Sequence, residues 1–254
     1  MTPLDLIYDL RLRADDMGGD TGTVSTGFTY YWEEQDRGAL FKNEELIRYL
    51  NTAHREIAVR TQCYRDAGES EICQIKVKAG TASYDIDQRI MTIEDVLLNS
   101  TGTSLIKTQL RDYRAMTDHR TTTGTPTHYL EENRPFKLTL YPIPIADDTL
   151  YLTVYRLPLE EMTWAGRKSE LDEPPEGLRE ALIHGALSYA YQKRDADTGD
   201  INRTGFHNKE FEKLVGEPVD YKVLENRRAN ANLDVTITPS AYVKNRSRQR
   251  WYEE

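Results

Sequence analysis

The side chains able to do chemistry are few, and their spacing suits none of the common sites. The five histidines, His54, His119, His128, His184 and His207, form no His-Glu-x-x-His pair. The only cysteines, Cys63 and Cys73, have no Cys-x-x-Cys neighbour, so no zinc pattern is present. His54 and His184 fall on predicted helices and read there as flank residues. Asp195, Asp197 and Asp200 begin like a calcium loop, but Gly199 takes the fifth position and no glutamate stands at the twelfth. A solvated turn between helices fits them better. Gly18, Gly19 and Gly22 lack the Gly-Lys-Ser/Thr ending of a phosphate loop. Ser188 follows His184 by one helical turn without a G-x-S-x-G elbow. Acidic pairs such as Glu131–Glu132 and Asp147–Asp148 have no spacing that marks a glycosidase, because that pairing is spatial. No resident metal or cofactor is expected, and a hydrolase is left open but unsupported by these residues.

One charged feature has a direction. Lys244, Arg246, Arg248 and Arg250 crowd the C-terminus of a chain whose net charge is −9. The acidic total argues against coating nucleic acid. Four cations alone on DNA would lose roughly a hundredfold in affinity between 50 and 200 mM salt. Trp251 and Tyr252 beside the arginines instead suit a protein pocket, since Trp, Tyr and Arg dominate interface hot spots. A solvated terminus is the plain alternative.

The elements that must carry these groups start from a helix over Asn43 to about Arg60. Leu46, Ile47, Leu50, Ala53, Ile57 and Thr61 recur at intervals of three and four and share a face. Asn43 suits its N-cap, and Glu44 and Glu45 suit its dipole. Burying Leu46, Ile47, Leu50 and Ile57 contributes on the order of 6–12 kcal/mol gross, so the helix needs a partner. The spacing predicts that partner over 176–194, where Leu178, Ala181, Leu182, Gly185, Ala186 and Tyr189 line one face and the small residues permit close approach. A short amphipathic helix is predicted at 2–15, with Leu4, Ile7 or Tyr8, and Leu10 or Leu12 as its stripe. Another is predicted at 206–215, with Phe206, Phe211, Leu214 and Val215.

Between the long helices the period changes to two. Cys73, Ile75 and Val77 alternate with polar residues, as do Phe136, Leu138 and Leu140, and Leu150, Leu152 and Val154. Strands are also expected at 83–86, 90–99, 105–106 and 127–131, with a turn or two of helix within 108–117. Close spacing with turn signals suggests a small antiparallel sandwich or barrel. Residues 160–173 read as a polar connector containing Trp164. The fold class is therefore α+β: a helical bundle from residues 1–70 and 174–217, an inserted β-domain at 71–160, and an extended arm at 218–254. The Gly/Thr-rich stretch 17–41, with the aromatic run Tyr30, Tyr31 and Trp32, reads as a mobile loop. Residues 225–254 hold too little apolar surface to fold alone.

Sixteen tyrosines against five phenylalanines favour interfaces and half-buried surfaces. No apolar run approaches the ~20 residues of a membrane span, and Asp5, Asp9 and Arg11 interrupt any signal-like N-terminus. A soluble, non-secreted protein is expected. Two buried thiols are preferred over a disulfide.

The order of motifs LIYDLRLRADD, FKNEELIRYLNTAHREIAVRT, SYDI, IMTIEDVLLN, GTPTHYL, LTLYPIP, PPEGLREALIHGALSYAYQKRDADTGD and KEFEKLV resembles the head-to-tail connector (adaptor) proteins of tailed bacteriophages over residues 2–217. The resemblance implies a non-enzymatic virion protein, assembled in the host cytoplasm, that forms a ring of about twelve copies joining the portal to the tail. Twelve chains at −9 each would carry about −108, a charge that repels phosphates and suits DNA passing through the lumen without sequence-specific binding. It implies that Arg246, Arg248, Arg250, Trp251 and Tyr252 bind the portal, and that Tyr30, Tyr31 and Trp32 face neighbouring subunits or a tail or nozzle protein. Another tail or baseplate protein, and a carbohydrate-binding or carbohydrate-hydrolysing protein using the tyrosines and acidic pairs, are the competing classes.

Overall fold

The computed structural model describes residues 2–16, 39–67, 71–116, 118–132, 136–193, 199–220 and 223. The protein is mixed α+β, and its buried apolar side chains form two clusters, one among helices and one among strands.

The helical cluster is built from α1 (Pro3–Ala14), α2 (Asn43–Thr61), α4 (Arg179–Tyr191) and α5 (Ile201–Val215). Thr2 caps α1 through a reciprocal box with Asp5, the Thr2 hydroxyl accepting from the Asp5 amide and the Asp5 carboxylate accepting from the Thr2 amide. Leu6, Ile7, Leu10 and Ala14 point inward, whereas Leu12 stays exposed. The predicted face of α2 is buried as expected except for Thr61 at its exposed end. Its N-cap is Lys42 rather than Asn43, because the Asn43 side chain is engaged by Arg11.

The largest departure concerns α4. A single apolar face was expected, yet ten consecutive or near-consecutive residues from Ala181 to Tyr191 are buried around its whole circumference. No charged residue stands between Glu180 and Lys193, and a helix apolar all round belongs inside. It contacts α1, α2 and α5. Gly185 allows this: a β-carbon there would sit 2.8 Å from the Ala53 β-carbon and 2.9 Å from the Phe211 ring. The connector at 160–173 also belongs to this core, since Met162 is buried and Trp164 lies against it. Asn51 ties Met162 down, donating to its carbonyl and accepting from its amide at 2.9 Å each.

The strand cluster contains two larger sheets. In one, β11 (Asp148–Arg156) pairs antiparallel with β4 (Ile90–Leu98) on one edge, and with β1 (Arg65–Ala67) and β2 (Gln74–Val77) in succession on the other; β5 (Thr103–Ser104) extends β4. The other runs β3 (Ser83–Asp85), β9 (Lys137–Tyr141), β8 (His128–Glu132), β6 (Ile106–Lys107). Leu105 carries the chain between them: its amide bonds Val96, and the next amide bonds Thr127. Leu150, Leu152 and Val154 are buried while Tyr151, Thr153 and Tyr155 lie half-buried on the opposite face, as the alternation predicts. Not every pairing is antiparallel: β6 runs parallel to β8, and β7 (Thr123–Gly124) runs parallel to β10 (Ile143–Pro144). The predicted helical turns appear as α3 (Leu110–Ala115).

Where the two clusters meet, Arg156 ion-pairs with Asp66 at 2.8 Å and Glu173 at 2.7 Å and lies over the Tyr64 ring. The Tyr64 hydroxyl shares a hydrogen bond with Nε2 of His54 on α2. His54 is thus buried rather than a flank residue, and burial lowers its pKa to about 4. Tyr64→Phe should leave that nitrogen unpartnered and destabilise the fold by about 1–3 kcal/mol, read from the chemical-denaturation midpoint. Both cysteines are free thiols, Cys73 buried and Cys63 partly so.

Candidate functional site

All eight residues singled out from sequence, Tyr30, Tyr31, Trp32, Arg246, Arg248, Arg250, Trp251 and Tyr252, lie outside the described residues. What the structure shows is how the chain is held where it leaves and rejoins the described part.

On either side of 17–38 stands a buried polar knot. Arg11, on the inward face of α1 and 0% exposed, donates through Nη1 to the Asp16 carboxylate at 2.8 Å and through Nη2 to the Phe41 carbonyl at 2.8 Å and Asn43 Oδ1 at 2.7 Å. Asp16 in turn accepts from the amides of Leu40 and Phe41. Residues 16 and 40–43 are therefore clasped through one guanidinium. Asp15 supports the exit in a left-handed C-cap conformation, φ 57°. The Phe41 ring is buried edge-on against Tyr191 at the end of α4, 5.7 Å between centroids.

A second arginine holds the other departure. Arg60, near the end of α2, donates to the Gly216 carbonyl at 2.7 Å, lies 4.7 Å over the Phe211 ring and pairs with Glu56. Gly216 ends α5, and its φ of 86° suits only glycine without strain. The first knot lies beside the opposite end of α5, where Arg203 donates to the Tyr191 hydroxyl at 2.9 Å and the Ala14 carbonyl at 3.4 Å. A fifteen-residue helix spans roughly 20 Å. Residues 17–38 and the chain beyond 216 thus leave from opposite ends of α5.

That helix begins at Ile201, earlier than predicted, because Asp200 caps it by accepting from the amides of Asn202 and Arg203; it is a cap and not part of a calcium loop. Phe211 and Val215 are buried as predicted, but Phe206 is 56% exposed and Leu214 48%. The residue that goes inward is His207. It stacks on Tyr191 and meets His184 ring to ring, Nδ1 to Nδ1 at 2.9 Å, while Nε2 of His184 lies 2.9 Å from Nη1 of Arg13. His184 is therefore a buried hub and not a flank histidine. Burial lowers both pKa values, with Arg13 adding to the effect on each and His184 to that on His207, which reaches about 4. Ser188 bonds back to the Gly185 carbonyl at 2.8 Å; it is no partner of His184.

Reasoning from sequence missed Arg11 and the histidine pair. Arg11 sits four residues after Ile7 and three before Ala14, on the buried stripe, and that position was its signal. His207 likewise stands four residues before Phe211. Among the described residues no group of His, Cys, Asp or Glu is placed to hold a metal ion, and no helix is long and apolar enough to cross a membrane.

Residues 1–236 match the model of the SU10 adaptor protein family. The chain belongs to that family. No curated protein matches it. As an SU10 adaptor protein it is a phage structural protein and a virion component whose role is contact with other virion proteins. The knots at Arg11 and Arg60 fix the described residues on either side of 17–38 and at the end of α5.

Proposed function

We propose that the protein forms a ring of about twelve copies that joins the portal of the phage head to the tail and lets DNA pass through. The observation that carries this is the departure of two segments from opposite ends of α5, each clasped by a buried arginine. Two anchored segments about a helix length apart can reach different neighbours from one rigid body. Residues 30–32 then face an adjacent subunit or a tail protein. Arg246, Arg248, Arg250, Trp251 and Tyr252 dock on the portal, where Trp, Tyr and Arg are the side chains that most often carry binding energy. In this arrangement residues 1–70 and 174–217 act as a helical bundle, 71–160 as an inserted β-domain with its sheets facing as a sandwich, and 218–254 as the arm. The net charge of −9 per chain disfavours DNA sticking to the lumen.

Mass measurement of the purified protein, alone and with portal, tests the proposal: a species of about twelve copies on the portal is expected. Deleting residues 240–254 should abolish portal binding and leave the melting temperature unchanged. Full-strength binding by the truncated chain would overturn the assignment of the arm.

A further inference from the structure

We infer that the His184–His207 pair is an acid-released latch holding α5 against α1 and α4. Arg13 sets its polarity. A guanidinium only donates, so Nε2 of His184, 2.9 Å from Nη1 of Arg13, presents a lone pair. Nδ1 of His184 then carries the ring proton and donates across 2.9 Å to Nδ1 of His207, whose own proton sits on Nε2. Both rings are neutral in this chain, and neither can add a proton without loss. A proton on Nε2 of His184 would oppose the Arg13 donor. A proton on Nδ1 of His207 would oppose the His184 N–H. Each ring is only 7% exposed, so water cannot replace the lost bond cheaply.

The charged and titratable groups around the pair come from all three helices. Arg13 of α1 and Arg203 of α5 disfavour added charge on His207, and Arg13 does so on His184. Tyr191 of α4 stacks on His207 at 5.8 Å. Glu180 of α4, 3.9 Å from Nε2 of His184, favours a charged His184, and Glu210 of α5 favours charge on either ring; burial and the arginines outweigh both. A released His207 titrates at its ordinary 6.5, against about 4 when docked. Between those values the released form takes up a proton that the docked form refuses, so docking weakens as pH falls. For His207 alone this favours release by roughly 20-fold at pH 5 relative to pH 7. Release loosens both departures at once, because the N-terminal end of α5 bonds Ala14 through Arg203 and its C-terminal Gly216 is held by Arg60.

Hydrogen exchange of the full chain at pH 7 and pH 5, corrected for intrinsic rates, tests the latch. Opening of the α5 amides should rise by about 20-fold or more, while amides of β4 and β11 change by less than threefold. His207→Asn keeps an acceptor near the Nδ1 position and cannot titrate; it should cut the rise at least tenfold. Parallel loss of protection in helices and strands, or an undiminished rise in the variant, would overturn the latch. Should that variant fail to fold, ring-nitrogen chemical shifts of the unmodified protein decide. Neutral rings at pH 5.5, protonated at Nδ1 in His184 and Nε2 in His207, are expected; a charged ring with α5 still docked would refute it.

Discussion

Arg11→Ala should destabilise the protein by about 3–5 kcal/mol, the range for breaking a buried ion pair by removing one partner. Three acceptors lose their donor together: the Asp16 carboxylate, the Phe41 carbonyl and the Asn43 side chain. The Asp16 carboxylate is only 3% exposed, so its charge stays in a dry site. Arg55→Ala is the matched control. Its pairing with Glu161 lies between side chains 59% and 63% exposed, and such pairs contribute about 0–1 kcal/mol. The difference is read from urea midpoints of the two variants. A loss below about 1 kcal/mol for Arg11→Ala would mean that water reaches the clasp and that it does not fix the flanks of 17–38. Asp16→Asn should cost less than Arg11→Ala, because its remaining carbonyl oxygen can still accept from the guanidinium.

Gly185→Val should be at least as damaging, with a loss of about 3 kcal/mol or more. A single added carbon already falls 2.8 Å from Ala53 and 2.9 Å from Phe211. The Ala53 β-carbon is fixed to the α2 backbone, and the Phe211 ring is buried beneath Arg60. Overpacking of this kind costs roughly 1–3 kcal/mol for a small insertion, and a branched side chain adds two further carbons. Gly185→Ala sets the better measurement. Its helix propensity gain is about 1 kcal/mol, so a net loss isolates the clash. Ala53→Gly in the same chain should recover part of that loss, giving a coupling energy in a double-mutant cycle. Additive effects of the two substitutions would place the strain elsewhere.

Helix and strand positions were largely legible because periodicity survives without knowledge of neighbours. The buried face of α2 and the alternation along β11 depend only on which side of each element meets any apolar surface. The errors have a common origin. Phe206 was placed inside on hydrophobicity and lies outside, while the polar His207 next to it lies inside. A histidine can be buried only if a partner satisfies it, and here the partner, His184, is 23 residues away. Arg11 was read only as an interruption of a signal-like N-terminus, although it occupies the buried stripe of α1 and is satisfied by residues up to 32 positions distant. Local patterns cannot supply such partners. Parallel pairing of β6 with β8 escaped for the same reason, since register between strands is set by the sheet and not by either strand alone.

From sequence alone came the α+β class, the long helices and the order of motifs that marks the family, because each is written in spacing along the chain. The tertiary structure alone decided which polar residues are inside. A buried charge or imidazole is tolerated only where distant groups converge on it, and that convergence is what clasps the flanks of 17–38, holds Gly216 and joins α5 to the helices beneath it.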